Sequence, residues 1–305
     1  MTQMTAMIRR TRASGAGMRR ALIVAMGLAS LGLGTLTADD AVPPLNAPAS
    51  GERHPGKLIW GDLFSSKPDV SKRFYMRMFG WKATDLRLGE QEVSVFMLGE
   101  RPIAGMVRRD RVVGDTADSR WVPYFSTKNV RALSRKITRA GGKSLVEPRR
   151  LDKRGVHAVF QDSEGAIFGL LDSASGDPPD YLADPGEWIW AQLLTRRVEP
   201  TLDFYRAFGT ESAEGPKIEG RESYYLVSEG FARAGVSLAG EGAGSSGWLP
   251  FVRVESVTEA MARARRLGGK VVLKAEADSG AAVIEDPAGG RIGLLEWMPG
   301  KEEGQ

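Results

Sequence analysis

Trp121–Lys143 reads WVPYFSTKNVRALSRKITRAGGK, and Trp248–Lys270 reads WLPFVRVESVTEAMARARRLGGK. Trp121 and Trp248, Pro123 and Pro250, Gly141 and Gly268, and Lys143 and Lys270 all lie 127 positions apart, with no gap between them. A constant offset over this length makes internal duplication the first thing a fold must explain. In each copy a short apolar run (Val122, Tyr124, Phe125; Leu249, Phe251, Val252, Val254) ends at a residue suited to cap a helix, Asn129 or Ser256. Apolar residues then recur at helical spacing: Val130, Leu133, Ile137 and Ala140, and Val257, Met261, Ala264 and Leu267. Ser256 with Glu259 makes a capping-box pattern, in which each side chain satisfies the other residue's backbone amide. Gly141-Gly142 and Gly268-Gly269 supply the left-handed residue that stops each helix.

A related unit precedes each copy. Lys57–Phe64 (KLIWGDLF) reads as a strand, and Ser65 or Ser66 caps a helix from Pro68 to Phe79 with Val70, Phe74, Tyr75 and Met78 inward and Gly80 as its stop. Glu92–Leu98 and Pro102–Arg108 read as a hairpin around Gly99-Glu100. In the second half Glu187–Thr195 (EWIWAQLLT) parallels Lys57–Ser65, Phe204-Tyr205 parallels Phe74-Tyr75 at an offset of 130, and Tyr224–Val227 with Ala232–Leu238 repeats the hairpin. Each central copy is followed by strands leading through Asp162-Ser-Glu-Gly165 or Asp286-Pro-Ala-Gly289 into Ala166–Leu171 or Arg291–Trp297. The order is strand, helix, strands, four times over, with the helices expected on one face of a curved sheet. Residues 39–56 and 176–186 carry Pro without an apolar period and read as linkers. The chain thus divides into a leader at 1–38, a linker at 39–56, a domain at 57–175, a linker at 176–186, a domain at 187–298 and a tail at 299–305.

A length of 305 residues with 42% apolar content accommodates two domains with cores of their own. The formal charge of +4 misleads, because five arginines (Arg9, Arg10, Arg12, Arg19 and Arg20) are the only charges ahead of Asp39. Without them 37 basic residues face 38 acidic ones, which gives no electrostatic case for nucleic acid or an anionic membrane. The chain has no cysteine, so disulfides, thiolate nucleophiles and thiolate metal sites are excluded. Met18-Arg19-Arg20 precedes the apolar run Ala21–Leu36, and small residues then give way to Asp39-Asp40. This is the pattern of a secretory signal, so the protein is expected to be exported to a periplasm or secreted. An uncleaved inner-membrane anchor is the alternative, and the only membrane association expected.

Trp60-Gly-Asp-Leu63 and Trp190-Ala-Gln-Leu193, each followed by Phe-Tyr, carry a resemblance together with Phe79-Gly-Trp81, the Gly-Gly-Lys helix stops, and the Asp-x-x-Gly turns before Phe168-Gly-Leu-Leu and Ile292-Gly-Leu-Leu. In that order, and repeated, they resemble the vicinal oxygen chelate superfamily of glyoxalases, bleomycin-resistance proteins and dioxygenases, in its tandem form. The resemblance implies an α+β fold: four βαβββ modules paired into two glyoxalase-like domains with curved mixed sheets, each closing a cup that holds a metal or small molecule. It also implies His, Gln or Glu ligands on the first strand of a module and Glu on the last. Here the first-strand positions fall near Trp60, Val122, Trp190 and Leu249, and the last-strand positions on Gly169 and Gly293. Indole, aliphatic and glycine positions offer no lone pair to a divalent ion.

The candidates for contact with a small molecule are therefore Trp60, Asp62, Phe64, Tyr124, His157, Trp190 and Gln192. Strand alternation puts Leu58, Trp60, Asp62 and Phe64 on one face, and Ile59, Gly61 and Leu63 on the other. Asp62 and Gln192 match at the 130 offset and put one polar group among aromatics, the pattern of a site that orients a small ligand. His157 is either a base in the first cup or an edge-strand surface residue; His54 is expected to be solvated. Trp121 and Trp248 are expected to pack in the core or at a module seam. Arg149, Arg150, Lys153 and Arg154 read as a solvated turn. The reading is an exported protein that binds a small apolar or aromatic molecule with no cofactor. Its alternatives are a metal-dependent lyase or dioxygenase drawing on Asp62, His157, Gln192 and a carboxylate from a hairpin, and a non-catalytic envelope protein. No catalytic residue is assigned.

Overall fold

The computed structural model describes residues 42–88, 91–110, 118–207, 209–215, 217, 222–240, 246–274 and 280–297. The expected signal at 1–38, the tail at 299–305 and most of the Gly240–Gly247 loop lie outside them. Among the described residues no helix is long and apolar enough to cross a membrane.

Four modules follow one another. The first is β1 (Leu58–Ser65), α1 (Pro68–Phe79), β2 (Lys82–Leu88), β3 (Gln91–Leu98) and β4 (Arg101–Arg108). The second is β5 (Ser119–Ser126), α2 (Val130–Arg139), β6 (Lys143–Leu151), β7 (Gly155–Gln161) and β8 (Ile167–Ser173). The third is β9 (Trp188–Thr195), α3 (Val198–Arg206), β10 (Glu211–Glu214), β11 (Ser223–Ser228) and β12 (Phe231–Leu238). The fourth is β13 (Gly247–Val254), α4 (Val257–Arg266), β14 (Lys270–Lys274), β15 (Ala281–Glu285) and β16 (Arg291–Glu296).

The first two modules form an eight-stranded sheet of order β2-β3-β4-β1-β5-β8-β7-β6, and the last two form its counterpart, β10-β11-β12-β9-β13-β16-β15-β14. At the middle of each sheet the two first strands run antiparallel, β1 with β5 and β9 with β13. Each first strand also lies parallel to its module's last strand. The α+β architecture with mixed sheets is as the sequence resemblance implied.

Local signals account for most element ends. Asn129 caps α2 by accepting from the Ala132 amide at 2.8 Å, and Ser256 caps α4 by accepting from Glu259 N at 3.3 Å. The expected serine cap of α1 is not made. Lys67 occupies the N-cap, while Ser65 Oγ accepts from the Lys67 amide, and Pro68 removes one orphan donor at the helix start.

The two sheets pack back to back through their helices. One continuous core takes Phe74, Tyr75 and Met78 from α1, Ile137 from α2, Leu202 and Phe204 from α3 and Met261 from α4, together with Trp121, Trp188 and Trp248. The first module meets the fourth: Tyr75 Oη donates to Gly290 O at 3.2 Å, and Arg263 Nη1 of α4 donates to Met78 O at 3.2 Å. The second module meets the third: Tyr205 Oη donates to Asp162 Oδ2 at 3.0 Å. Each tyrosine also accepts from an indole, Trp121 Nε1 at 2.9 Å and Trp248 Nε1 at 3.0 Å. The paired tryptophans of the repeat are therefore wedges between the domains. The second glycine of each Gly-Gly-Lys stop leaves room for a ring from the other domain, Gly142 for Phe204 and Gly269 for Phe74.

One expectation needs correction. Strict alternation in β1 fails at its start, where a bulge between Leu58 and Trp60 turns Leu58 into the interdomain core and sends Ile59 to the opposite face. The segment read as a linker at 39–56 is docked as a strap from Val42 onward. Leu45 is 2% exposed, the Asn46 amide side chain donates to Gly176 O and Asp177 O, and Arg53 Nε donates to Asp172 Oδ1 at 3.3 Å. The second linker is its partner: buried Asp177 accepts from the His54 amide and from the Ser126 hydroxyl. Composition alone signalled no regular structure, and there is none, but apolar Leu45 and a few polar side chains suffice to tie the strap down.

Replacing Tyr75 or Tyr205 with Phe removes a hydroxyl that both donates and accepts in a buried interface. Each change is expected to lower the free energy of unfolding by about 1–3 kcal/mol, measured by urea denaturation.

Candidate functional site

The face of each sheet turned away from the helices forms a cup, and one constraint shapes both floors. The register sets Asp62 beside Gly105, Tyr124 beside Gly169, Gln192 beside Gly235 and Phe251 beside Gly293. A Cβ at any of these four glycines would overlap the side chain of its partner. In every module a first-strand side chain thus lies over a last-strand glycine.

The first cup, walled by β1, β3, β4, β5, β7 and β8, brings together Trp60, Asp62, Tyr124 and His157 from the sequence candidates. Phe64 is half-buried and packs beside this cluster. Trp190 and Gln192 lie in the other cup. His157 sits on an inner strand, between β6 and β8, and is 4% exposed. Its Nε2 accepts from Arg149 Nε at 3.1 Å, which fixes a neutral ring with the proton on Nδ1. Burial and the Arg149 and Arg154 guanidinium groups push its pKa down to about 3. A ring so hard to protonate is a poor general base at neutral pH.

Asp62 Oδ1 accepts from Trp60 Nε1 at 2.7 Å. Desolvation raises the Asp62 carboxyl above the usual range, against the opposing pull of Trp60 and Arg154. Desolvation, reinforced by the Asp62 charge, also raises the Tyr124 hydroxyl. The hairpin after β6 adds a residue that the sequence reading put in solvent. Arg154 is 3% exposed, with its guanidinium carbon 3.9 Å above the Trp60 ring. Of the expected solvated run, Arg150 and Lys153 are exposed, Arg154 turns into the cup, and Arg149 donates to His157. The one sequence hint was asymmetry, since the second domain has no matching basic run. Val42 of the strap also lines this cup, and the remaining cavity is about 50 Å³.

The second cup is open. A cavity of about 750 Å³ runs from Trp190, Gln192, Tyr225, Phe251 and Trp297 of this cup to Leu58, Ile59, Leu98, Arg101 and Ile103 of the first domain, with Tyr181 and Leu182 of the linker between them. Trp190 and Tyr225 meet edge to face with ring centroids 5.8 Å apart. Gln192 Oε1 accepts from Trp190 Nε1 at 3.2 Å, and its Nε2 donates to Ser237 Oγ at 3.1 Å. One lone pair and one N–H of the amide remain for a ligand. Tyr181, Leu182 and Trp297 are exposed apolar surface.

Neither donor set fits a divalent ion. Among the described residues no three His, Cys, Asp or Glu side chains converge. In the first cup Asp62 shares its surroundings with Arg154, whose charge opposes a second cation, and the carboxylates lining the second cavity, Asp180 and Glu187, are already paired with Lys57 and Arg233 and with Arg101. Asp62 and His157 belong to one sheet and Gln192 to the other, so the ligand set drawn from all three is not assembled. His54, expected in solvent, is half-buried in the strap, with Nε2 3.3 Å from Glu52 and Nδ1 3.8 Å from Asp180.

The lowered pKa of His157 has a consequence for folding. The unfolded chain binds its proton near pH 6.5 and the folded chain only near pH 3. Stability contributed by the neutral ring is therefore lost as pH falls from 6.5 towards 3, with a slope of up to about 1.4 kcal/mol per pH unit. Asp62, with its raised pKa, acts in the opposite sense over the acid range, so the difference between two proteins isolates the histidine. His157→Gln keeps an acceptor for Arg149 and is expected to flatten the acid limb of a urea-midpoint profile.

No family model matches the chain. The anthracycline biosynthesis protein DauV of Streptomyces sp. strain C5 is 26% identical over 255 residues, covering 79% of this chain and 90% of DauV. CFP32 of Mycobacterium bovis, named as a candidate glyoxylase, is 24% identical over 258 residues, covering 83% of this chain and 99% of CFP32. Among solved structures, the Mn(II)-bound glyoxalase of Novosphingobium aromaticivorans superposes with a TM-score of 0.56 at 15% identity, covering 81% of this chain and 84% of that one. A homoprotocatechuate 2,3-dioxygenase variant from B. fuscum superposes with a TM-score of 0.55 at 13% identity, covering 86% and 76%. In fold, the chain is similar to these two-domain glyoxalase and dioxygenase structures.

Proposed function

We propose that the second cup binds a small planar aromatic molecule and does so without a divalent metal. The observation that carries this reading is the open cavity of about 750 Å³ with Trp190, Tyr225 and Phe251 on its floor and the Gln192 amide among them. Aromatic rings give a flat ligand stacking and edge contacts, and one amide in an apolar wall fixes the direction of a ligand oxygen. Two relatives named for anthracycline biosynthesis are in keeping with an aromatic ligand.

A naphthol or anthraquinone probe is expected to quench tryptophan fluorescence saturably with one site per chain. Trp190→Ala is expected to weaken binding by about tenfold or more, and Gln192→Ala to weaken probes that carry an oxygen more than their hydrocarbon analogues. Asp62→Ala, in the other cup, is expected to leave the affinity unchanged. Absence of saturable binding, or binding indifferent to Trp190→Ala, would sink the reading.

The second reading is a metal-dependent lyase or dioxygenase, which the names of the solved neighbours favour. It requires ligands other than a His and carboxylate cluster. Elemental analysis of the dialysed protein separates the two: a stoichiometric, tightly held metal would replace the metal-free reading.

We further propose that the protein is exported. Cleavage near Ala38 leaves the docked strap intact, since Val42 and Leu45 lie downstream. Mass spectrometry of protein from the cell envelope or medium is expected to find residues 1–38 removed; an intact cytoplasmic chain would contradict export.

A further inference from the structure

The first cup contains an unpaired cation. All three guanidinium nitrogens of Arg154 are buried and without a hydrogen-bond partner. The Trp60 ring covers one face of the group but accepts no hydrogen bond along its edge. Arg149 spends Nε on His157, and its Nη2 is likewise buried and without a partner. The Tyr124 hydroxyl lies beside Asp62 but makes no hydrogen bond of normal geometry. Buried donors are almost always satisfied by protein, water or ligand, and a guanidinium left bare in a dry site is costly. Arg154 and Tyr124 line one small cavity, and Arg149 stands behind its His157 wall.

The charge and the size of the cavity then specify what fits. The described charged groups lining it are Asp62 from β1 and Arg154 from the β6–β7 turn, with His157 neutral on β7 and Tyr124 un-ionised on β5. The Arg149 guanidinium stands behind His157, so positive charge around the cavity exceeds the one carboxylate. Its volume of about 50 Å³ holds about three or four non-hydrogen atoms at roughly one probe sphere each. The planar edge of an arginine matches the two oxygens of a carboxylate.

We propose that the first cup is a binding site for one small monocarboxylate of formate or acetate size, held by the Arg154 guanidinium edge. The Tyr124 hydroxyl is its second donor, and Val42 of the strap lines the site. This places an anion pocket in the first domain, separate in position and chemistry from the aromatic cavity of the second.

The test uses the full mature chain and sodium formate or acetate at constant ionic strength. Isothermal titration is expected to show one saturable site per chain, and the thermal midpoint to rise along the same saturation curve. Formamide, neutral and of similar size, is expected to do neither. Arg154→Met keeps the apolar stem over Trp60 and removes the charge, and is expected to weaken binding by about tenfold or more. Gln192→Ala is expected to leave it intact. The proposal is overturned if the wild-type chain shows no saturable site, if formamide matches formate, or if Arg154→Met binds as wild type does. The wild-type titration decides the matter even if the methionine variant fails to fold. Loss of aromatic binding in the second cup would leave this result standing, and the converse also holds.

Discussion

A side chain from the first strand of a module can lie across the last strand only where that strand has no side chain of its own. All four modules meet this condition with glycine: Gly105 under Asp62, Gly169 under Tyr124, Gly235 under Gln192 and Gly293 under Phe251. The arrangement closes each module, because the glycine lets the covering side chain pack where two Cβ atoms would collide. It also decides what the cup floors can do. In the metal-dependent proteins that the chain resembles, the last strand is expected to carry a carboxylate ligand. Here Tyr124 and Phe251 rest where that carboxylate would stand. An aromatic floor recognises shape and ring faces, whereas a ring-covered glycine supplies no lone pair to an ion.

The two cups share this floor and diverge through what is added above it. In the first domain, the turn after β6 folds Arg154 onto Trp60, and Arg149 pairs across the ladder with His157. The strap adds Val42 to its lining and Leu45 to the cluster beside it, so an initially similar hollow becomes small and cationic. In the second domain Trp190 and Gln192 hold the places of Trp60 and Asp62, and the sequence between β14 and β15 carries no arginine to match Arg154. A neutral amide replaces a carboxylate in a cup whose largely buried guanidinium, Arg233, is already paired with Asp180. Charge has been changed on both sides of the pair together, as burial of an uncompensated ion would require.

Much of the fold was legible because its signals are local and occur twice. Helix spacing, Asn129 and Ser256 as caps, and the Gly-Gly stops repeat at a fixed offset, so each copy supports the other. The edge strands β2 and β10 gave no such signal, since Lys82–Leu88 and Glu211–Glu214 are largely charged and exposed, as strands at a sheet edge often are. The bulge at Leu58 was hidden because it depends on pairing with β5 rather than on composition. At the site, Trp60, Asp62, Trp190 and Gln192 could be found from alternation and repetition. Arg154 could not, because a basic turn and a buried guanidinium have the same sequence; only the fold decides which way the turn leans.

The residues that carry the family resemblance are mostly spent on holding the two domains together. Tyr75 and Tyr205 of the Phe-Tyr pairs, the second glycines of Gly-Gly-Lys, the aspartates of the Asp-x-x-Gly turns and both repeat tryptophans meet at the interdomain core. Repetition follows from that role, since a back-to-back pair of similar sheets presents the same problem at two places and solves it with the same residues. Chemistry is under the opposite pressure. It resides where the halves differ: Asp62 against Gln192, Tyr124 against Phe251, and Arg154 with His157 against no counterpart at all. The duplicated part of such a chain identifies its architecture, and the unduplicated part indicates what each cup can hold.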